Sequence, residues 1–194
     1  MNRIYKHIDK QIVLFLVKFV VLFILFYGFN YGFIGITAKG GLYWEWLDKH
    51  LNYVAAFRSF LLHTSAGILN ILGFRSVAAG YYLFVVNGAT LRMVYSCIGL
   101  GILSFWWAFV LSFPQTKAAK AWYFIWGTIV ITAMNIIRIT ALAILYTKYS
   151  GKGYKNIDHH LIFEICVYGV LFFMIYKWLN LPVAEVNDKN KKIK

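Results

Sequence analysis

Three kinds of reactive side chain stand at or within long apolar stretches of this sequence. Arg138 lies in the middle of one stretch, in the segment Asn-Ile-Ile-Arg-Ile-Thr; Cys97 opens a second stretch, and the adjacent His159 and His160 open a third. A guanidinium keeps its charge at physiological pH, so an arginine inside a membrane helix needs a polar partner or cavity and generally marks a functional site. A thiol, an imidazole and a guanidinium together can carry out nucleophilic acyl transfer.

The composition indicates that these side chains are positioned by helices in a membrane. The chain of 194 residues is 61% hydrophobic and 14% charged, with two prolines, and a soluble domain of this size cannot bury so much apolar surface. The net charge of +13 is typical of topology signals and contacts with anionic membrane lipid, and no nucleic acid partner is predicted. The two distant cysteines form no CxxC motif, so no metal site, other cofactor or disulfide framework is predicted.

Four stretches are long enough to cross about 30 Å of hydrocarbon, and we predict an all-α polytopic membrane protein. The predicted spans are residues 12–34, 97–113, 121–146 and 161–178. They form a single membrane domain, residues 1–181, followed by a basic tail, residues 182–194. The first stretch resembles a signal sequence, but it is too long and lacks a small-x-small cleavage site, so an uncleaved span is predicted.

The insert between the first two spans, residues 35–96, contains a second kind of helix. Residues 52–74 show helical periodicity, but Arg58 and His63 interrupt the apolar pattern. We predict an amphipathic helix lying in the external membrane interface, with a further membrane span as the alternative.

A β-hairpin is predicted directly before Cys97. Two runs rich in β-branched and aromatic residues flank Asn87 and Gly88, and Asn-Gly between such runs is a strong hairpin signal. The second run leads straight into the segment that carries the cysteine.

The distribution of lysines predicts the orientation of the chain. The amino terminus, the loop with Lys117 and Lys120 and the carboxy-terminal tail are basic, so they are predicted to be cytoplasmic. Four spans satisfy this arrangement in a cell (inner) membrane, although the predicted external loop, residues 147–158, is also basic. A fifth span at residues 52–74 would place the tail outside.

The predicted spans bring the three reactive groups to one depth. Cys97 lies about 17 residues before Pro114, Arg138 about 18 after Lys120, and His160 about 17 before Lys177. At a rise of about 1.5 Å per residue, each lies roughly 26 Å from the cytoplasmic boundary, just under the external surface. The sequence therefore predicts a site at the external face.

These motifs resemble the exosortase/archaeosortase family, a family of membrane cysteine transpeptidases. Three features in the family's order carry the resemblance: a hairpin leading into Cys97-Ile98-Gly99, the Asn135-x-x-Arg138-Ile139 motif in the next span, and His160 opening the last span. The resemblance covers roughly residues 72–176, and it departs from many members at Ile98, where they have serine.

The resemblance implies cleavage of exported proteins that carry a carboxy-terminal sorting signal, consisting of a motif, a transmembrane helix and a basic tail. Cys97 is the expected nucleophile, and a thioacyl intermediate would pass to a lipid or glycan acceptor or to water. His160 is the expected base, with His159 as the alternative, and Arg138 is expected to stabilise the oxyanion or clamp the substrate. Asn135, one turn away, is expected to orient Arg138 by a side-chain hydrogen bond.

A competing hypothesis is a non-enzymatic membrane transport or polysaccharide-assembly component that binds an anion through Arg138. Transporters usually show repeated or broken spans near the midplane, whereas here the polar residues come from different helices near one surface, which favours the enzyme. Three other residues are assigned no catalytic role: Cys166 is predicted to be a buried apolar filler, Arg92 a solvated cation and His63 a polar contact.

Overall fold

The computed structural model describes residues 2–40, 42–149 and 159–180, without the side chains of residues 2–9 and 159–164. The predicted basic tail and most of the loop at residues 147–158 lie outside the described residues. The helices are α1 (Asn2–Thr37), α2 (Glu45–Leu51), α3 (Tyr53–Ile71), α4 (Leu100–Ser112), α5 (Lys117–Tyr149) and α6 (His159–Leu179). The strands are β1 (Ser76–Ala79), β2 (Tyr82–Val85) and β3 (Thr90–Arg92), and a 3-10 turn (Tyr95–Ile98) precedes α4.

Helices α1, α3 and α5 contain segments that are long and apolar enough to cross a membrane. These segments are Lys10–Thr37, Tyr53–Ile71 and Lys117–Tyr149, while Leu100–Ser112 and Ile165–Leu179 are shorter apolar helices. The architecture confirms the predicted all-α membrane fold, with a small sheet added to it. The four-span topology stays a prediction.

Helix α4 is shorter than the span predicted at residues 97–113. It has 13 residues, about 20 Å, because the chain first makes the 3-10 turn and then passes through Gly99. Gly99 has a φ of 86°, in the left-handed region that favours glycine, and helix α4 begins only after it. Hydropathy alone could not show this break, because Cys97 and Ile98 of the turn continue the apolar run of the helix.

The buried apolar residues form two clusters, which lie at different positions along the helices. The first joins the buried apolar residues of α3 to the sheet, to Ile98 and to Ile139 and Ala143 of α5. The second fills the interior between α4, α5 and α6 around Trp106 and Trp178. Helix α3 therefore packs at the end of the bundle where Cys97 lies, although by length and composition it could also span a membrane.

Close approach of α4 and α5 depends on one glycine. The indole of Trp106 is fully buried against Gly127, where a Cβ atom would overlap the ring. The Trp106 indole N–H donates to the carbonyl of Tyr123 at 3.2 Å, and the Tyr123 ring in turn packs against Trp178 of α6 at 4.5 Å. This contact ties three helices together.

A buried polar cluster joins α1, α3 and α4. The Asn30 side-chain amide donates to Ser104 Oγ at 3.0 Å, and the Tyr53 hydroxyl donates to Asn30 Oδ1 at 2.6 Å. Ser104 is fully buried and Asn30 is 6% exposed. Since lipid offers no hydrogen bonds, these partners fix the contact between the three helices.

The sheet has three antiparallel strands in the order β1-β2-β3. The predicted hairpin forms around Asn87, which has a φ of 57°, and pairs Leu83 with Leu91. Strand β1 was not predicted, because its Ser-Val-Ala-Ala sequence is a weak β signal and gains its partner through a separate turn at Gly80. The sheet packs mainly against α3, and its hairpin turn contacts α5, where the Ala89 N–H donates to Thr147 Oγ1 at 3.2 Å.

Candidate active site

Cys97 occupies the 3-10 turn that links the sheet to α4. Its backbone N–H donates to the carbonyl of Val94 at 2.9 Å, and the next residue, Ile98, is fully buried in the first apolar cluster. Cys97 itself is partly exposed and lies on the wall of a cavity. The turn is therefore anchored in the core, while the residue that carries the thiol is accessible.

Two polar residues of α5 hold the backbone of this turn. The Arg138 Nη2 atom donates to the Cys97 carbonyl at 3.1 Å. The Asn135 amide donates to the same carbonyl at 3.2 Å and to the Ile98 carbonyl at 2.8 Å. A spacing of three residues places both side chains on one face of the helix.

The contact of Asn135 differs from the one expected from the sequence. Its amide was predicted to orient Arg138, whereas in the structure the two side chains converge on one carbonyl acceptor. The coupling between them therefore runs through the backbone of Cys97. Asn135 is 8% exposed, so its hydrogen bonds are made in a largely dry environment, where losing them would be costly.

Gly99 is required by this arrangement for two independent reasons. Its positive φ ends the 3-10 turn, and a Cβ atom there would lie 3.2 Å from the Asn135 side-chain nitrogen. A larger residue would strain the backbone and press on the amide that holds the turn. The Cys-x-Gly spacing of the sequence thus has a structural explanation.

Arg58 is a site-supporting residue that the sequence analysis assigned to an interfacial helix face. It is 3% exposed, and its guanidinium carbon lies 4.1 Å from the centre of the Tyr81 ring and 4.7 Å from that of Tyr95. Tyr95 is the first residue of the turn that carries Cys97. The two rings come from different ends of the hairpin, so no local pattern could have identified the contact.

Burial raises the pKa of the Tyr81 phenol, and the neighbouring Tyr95 acts in the same direction, while Arg58 opposes the shift. Tyr81 therefore remains a neutral phenol at physiological pH. The guanidinium of Arg58 is held by cation–π contacts with the two rings, an interaction that strengthens when water is excluded. This arrangement fixes the hairpin exit against α3.

Arg138 lies between two cavities. The larger, about 410 Å³, borders Cys97 and runs between β3 and α5. The smaller, about 210 Å³, lies between α4, α5 and α6 and is lined by Asn135 and Gly99 as well as Arg138. A reacting group in the larger cavity would therefore meet both the cysteine and the guanidinium.

His159 and His160 open α6, as the sequence predicted, but their side chains lie outside the described part of the chain. Their proximity to Cys97 and their roles stay predictions. His63 is exposed on α3 and hydrogen-bonds to the Ser59 carbonyl one turn earlier at 2.8 Å.

Cys166 is exposed on α6, so the prediction of a buried filler is wrong. Helix α6 turns this residue away from the core, which it contacts instead through Val167, Leu171 and Met174. Within residues 2–40, 42–149 and 159–180, no group of three or more His, Cys, Asp or Glu side chains could hold a metal ion.

The fold and the site define a helical membrane protein in which a partly exposed cysteine and a partly buried arginine are held together at one end of the bundle. The family model described as Transmembrane exosortase (Exosortase_EpsH) matches residues 12–177, and the chain belongs to this family. No curated protein and no solved structure gives a match to the chain. Family membership supports a membrane location and an exosortase-like role, that of a transpeptidase or protease acting on exported proteins.

Proposed function

We propose that this protein is a membrane-embedded cysteine transpeptidase that cleaves the carboxy-terminal sorting signal of exported proteins at the external face of the cell (inner) membrane. The observation that carries the proposal is the hydrogen bond from Arg138 to the Cys97 carbonyl at 3.1 Å. It places a permanent cation beside the residue that carries the thiol, on the wall of a cavity that can admit a peptide. The match to the exosortase family supports the same activity.

In the first half of the reaction, Cys97 attacks the carbonyl carbon of the scissile peptide bond. His160 takes the thiol proton, a C–S bond forms, and the carbonyl oxygen becomes an oxyanion stabilised by Arg138. Collapse of this intermediate breaks the C–N bond, and the departing amine takes the proton from the His160 imidazolium. The products are a thioester on Cys97 and the released signal segment.

In the second half, an amine on a lipid or glycan, or a water molecule, attacks the thioester. His160 takes the proton of this nucleophile, the C–S bond breaks, and the departing thiolate takes that proton from the His160 imidazolium, which restores the Cys97 thiol. The polar side chains of α5 contribute rigidity throughout, because they fix the carbonyls of Cys97 and Ile98 before substrate arrives. No step of this scheme calls for a metal or an organic cofactor.

The test uses an exported reporter whose carboxy terminus carries a motif, a hydrophobic span and a basic tail taken from a protein of the same genome. Cys97→Ala should leave the reporter full-length while the enzyme remains in the membrane at its normal level. Cys166→Ala is the matched control and should process normally, because this cysteine lies on the exposed face of α6. Normal processing by Cys97→Ala would refute the proposal.

A further inference from the structure

One edge of the small sheet is unpaired next to Cys97. Strand β3 is the last strand in the order β1-β2-β3 and pairs only with β2 in the described part of the chain. Val85 N–H donates to the Ala89 carbonyl at 3.0 Å, and Met93 N–H donates to the Tyr81 carbonyl at 2.8 Å. Because antiparallel pairing alternates along a strand, the carbonyl of Ala89 and the backbone groups of residues 91 and 93 face β2. Thr90 and Arg92 therefore direct theirs away from the sheet.

The 410 Å³ cavity runs along this unpaired edge. Its lining includes five consecutive residues, 89–93. Side chains alternate between the two faces of a strand, so consecutive residues can line one cavity only along the strand's edge. The opposite wall is the face of α5 that carries Arg138, Ile139 and Leu142. The cavity is thus a slot between a backbone edge and a helix.

The two ends of the slot differ. At the hairpin turn, Ala89 N–H donates to Thr147 Oγ1, and a Cβ atom on Gly88 would lie 2.5 Å from Thr147 Cγ2, so sheet and helix are in contact. At the other end the slot reaches Cys97. A chain lying along β3 would therefore run toward the thiol.

We propose that the sorting motif of the substrate binds in this slot as a fourth strand, paired through its main chain with Thr90 and Arg92. The inference rests on the proposed function and adds the mode of recognition. An occupant of the edge must offer donors and acceptors that alternate at the spacing of a strand, which an extended polypeptide does and an acyl chain does not. The three residues of β3 span about 10 Å, so the pairing fixes the register of a short motif before the scissile bond.

A pair of proline variants tests the pairing. Thr90→Pro removes a backbone N–H that points into the slot, where it takes no part in the β2–β3 ladder. Ala78→Pro is the matched control. Because Val86 N–H donates to the Arg75 carbonyl, the alternation along β1 directs the backbone N–H of Ala78 away from β2, toward the opposite edge of the sheet. We expect Thr90→Pro to lower processing of the reporter about tenfold or more, and Ala78→Pro to leave it within about twofold. Normal processing by Thr90→Pro would overturn the proposal.

Disulfide mapping tests the pairing of the motif with β3 even if a proline disturbs folding. Thr90→Cys is introduced with Cys97→Ala and Cys166→Ala, and single cysteines are placed along the reporter's motif. Paired strands bring directly facing Cβ atoms within about 5.5 Å, and the next residue on either side points to the other face of the sheet. Cross-linking should therefore alternate, with a maximum at the motif position that faces residue 90 and none at the positions next to it. Cross-links at every position alike, or none, would overturn the proposal, and Ala78→Cys should give none.

The two proposals fail in different ways. If Cys97→Ala abolishes processing but the Thr90 variants show neither loss nor alternation, the catalytic proposal stands and the edge pairing falls. If Cys97→Ala processes normally, the catalytic proposal falls, and the alternating cross-links still report whether a peptide occupies the edge.

Discussion

The Arg138 guanidinium donates a hydrogen bond to the backbone carbonyl of Cys97 at 3.1 Å, across 41 residues of sequence. The contact ties α5 to the short turn in front of α4, and Asn135 reinforces it by donating to the same carbonyl. The arginine therefore positions the cysteine's backbone as well as lining the cavity beside it. Substitution of Arg138 should therefore affect both the position of the Cys97 backbone and the reaction in the cavity, to different extents.

Arg138→Lys should retain the positive charge and the fold but lose most processing of the reporter. Lysine has no planar fork of donors, so it cannot hold the Cys97 carbonyl and face an oxyanion together. Loss of one oxyanion donor typically lowers turnover by about 10²–10³, and we expect a fall of that order in single-turnover cleavage. Arg75→Lys, at an exposed arginine outside the cavity, is the matched control and should cleave nearly normally. Normal cleavage by Arg138→Lys would favour simple anion binding.

His160→Ala should abolish cleavage while leaving capture of the reporter intact, because a general base acts on proton transfer more than on binding. Cross-linking to a reporter with a photoreactive residue in its motif measures capture, and gel analysis measures cleavage. His159→Ala should remain active. If His159→Ala does not cleave the reporter and His160→Ala does, the base is His159, and the roles of the adjacent residues are exchanged.

Arg58→Met should loosen the turn that carries Cys97. Methionine preserves an apolar stem but removes the cation that lies over Tyr81 and Tyr95, a contact worth about 2 kcal/mol when water is excluded. We expect a lower melting temperature in detergent and faster labelling of Cys97 by a maleimide, with processing reduced. Arg75→Met, an exposed cation near β1, should change neither measurement. Unchanged labelling in Arg58→Met would show that the cation–π contacts of Arg58 do not position the cysteine.

Gly127→Ala should destabilise the bundle, because its Cβ atom would overlap the buried indole of Trp106. Overpacking a core typically costs about 1–3 kcal/mol, so the melting temperature in detergent should fall by several degrees. Gly67→Ala is the matched control, since nothing lies within 4 Å of a Cβ atom at that helical position. Equal melting temperatures for the two variants would mean that α4 and α5 do not require this close approach.

The orientation can be tested with reporter fusions. Fusions after Gln115 and after Asn187 should report the cytoplasmic side, and a fusion after Lys152 should report the external side, as four spans require. A tail found outside would indicate that α3 spans the membrane, as its length and composition permit. That result would contradict the proposed location of the site at the external face of the membrane.

The membrane character, the long helices and the hairpin follow from local sequence, because hydropathy and turn chemistry are local properties. It also marked Arg138 and Cys97 as candidate site residues, since a charge within an apolar run and a thiol at the start of one are conspicuous without any structure. The long helices α1 and α5 contain the predicted spans 12–34 and 121–146. These features depend on residues that are neighbours in the chain.

The assembly of the site depends on contacts between residues that are far apart in the sequence. The burial of Arg58 between two tyrosines, the shared carbonyl of Asn135 and Arg138, and strand β1 all depend on partners distant in sequence. Each forms because buried polar groups and strand edges must find partners wherever the fold brings them, and no periodicity encodes that choice. The edge of β3 beside Cys97, which no other described strand pairs, belongs to the same class, because it exists only once β1 has paired on the other side of β2.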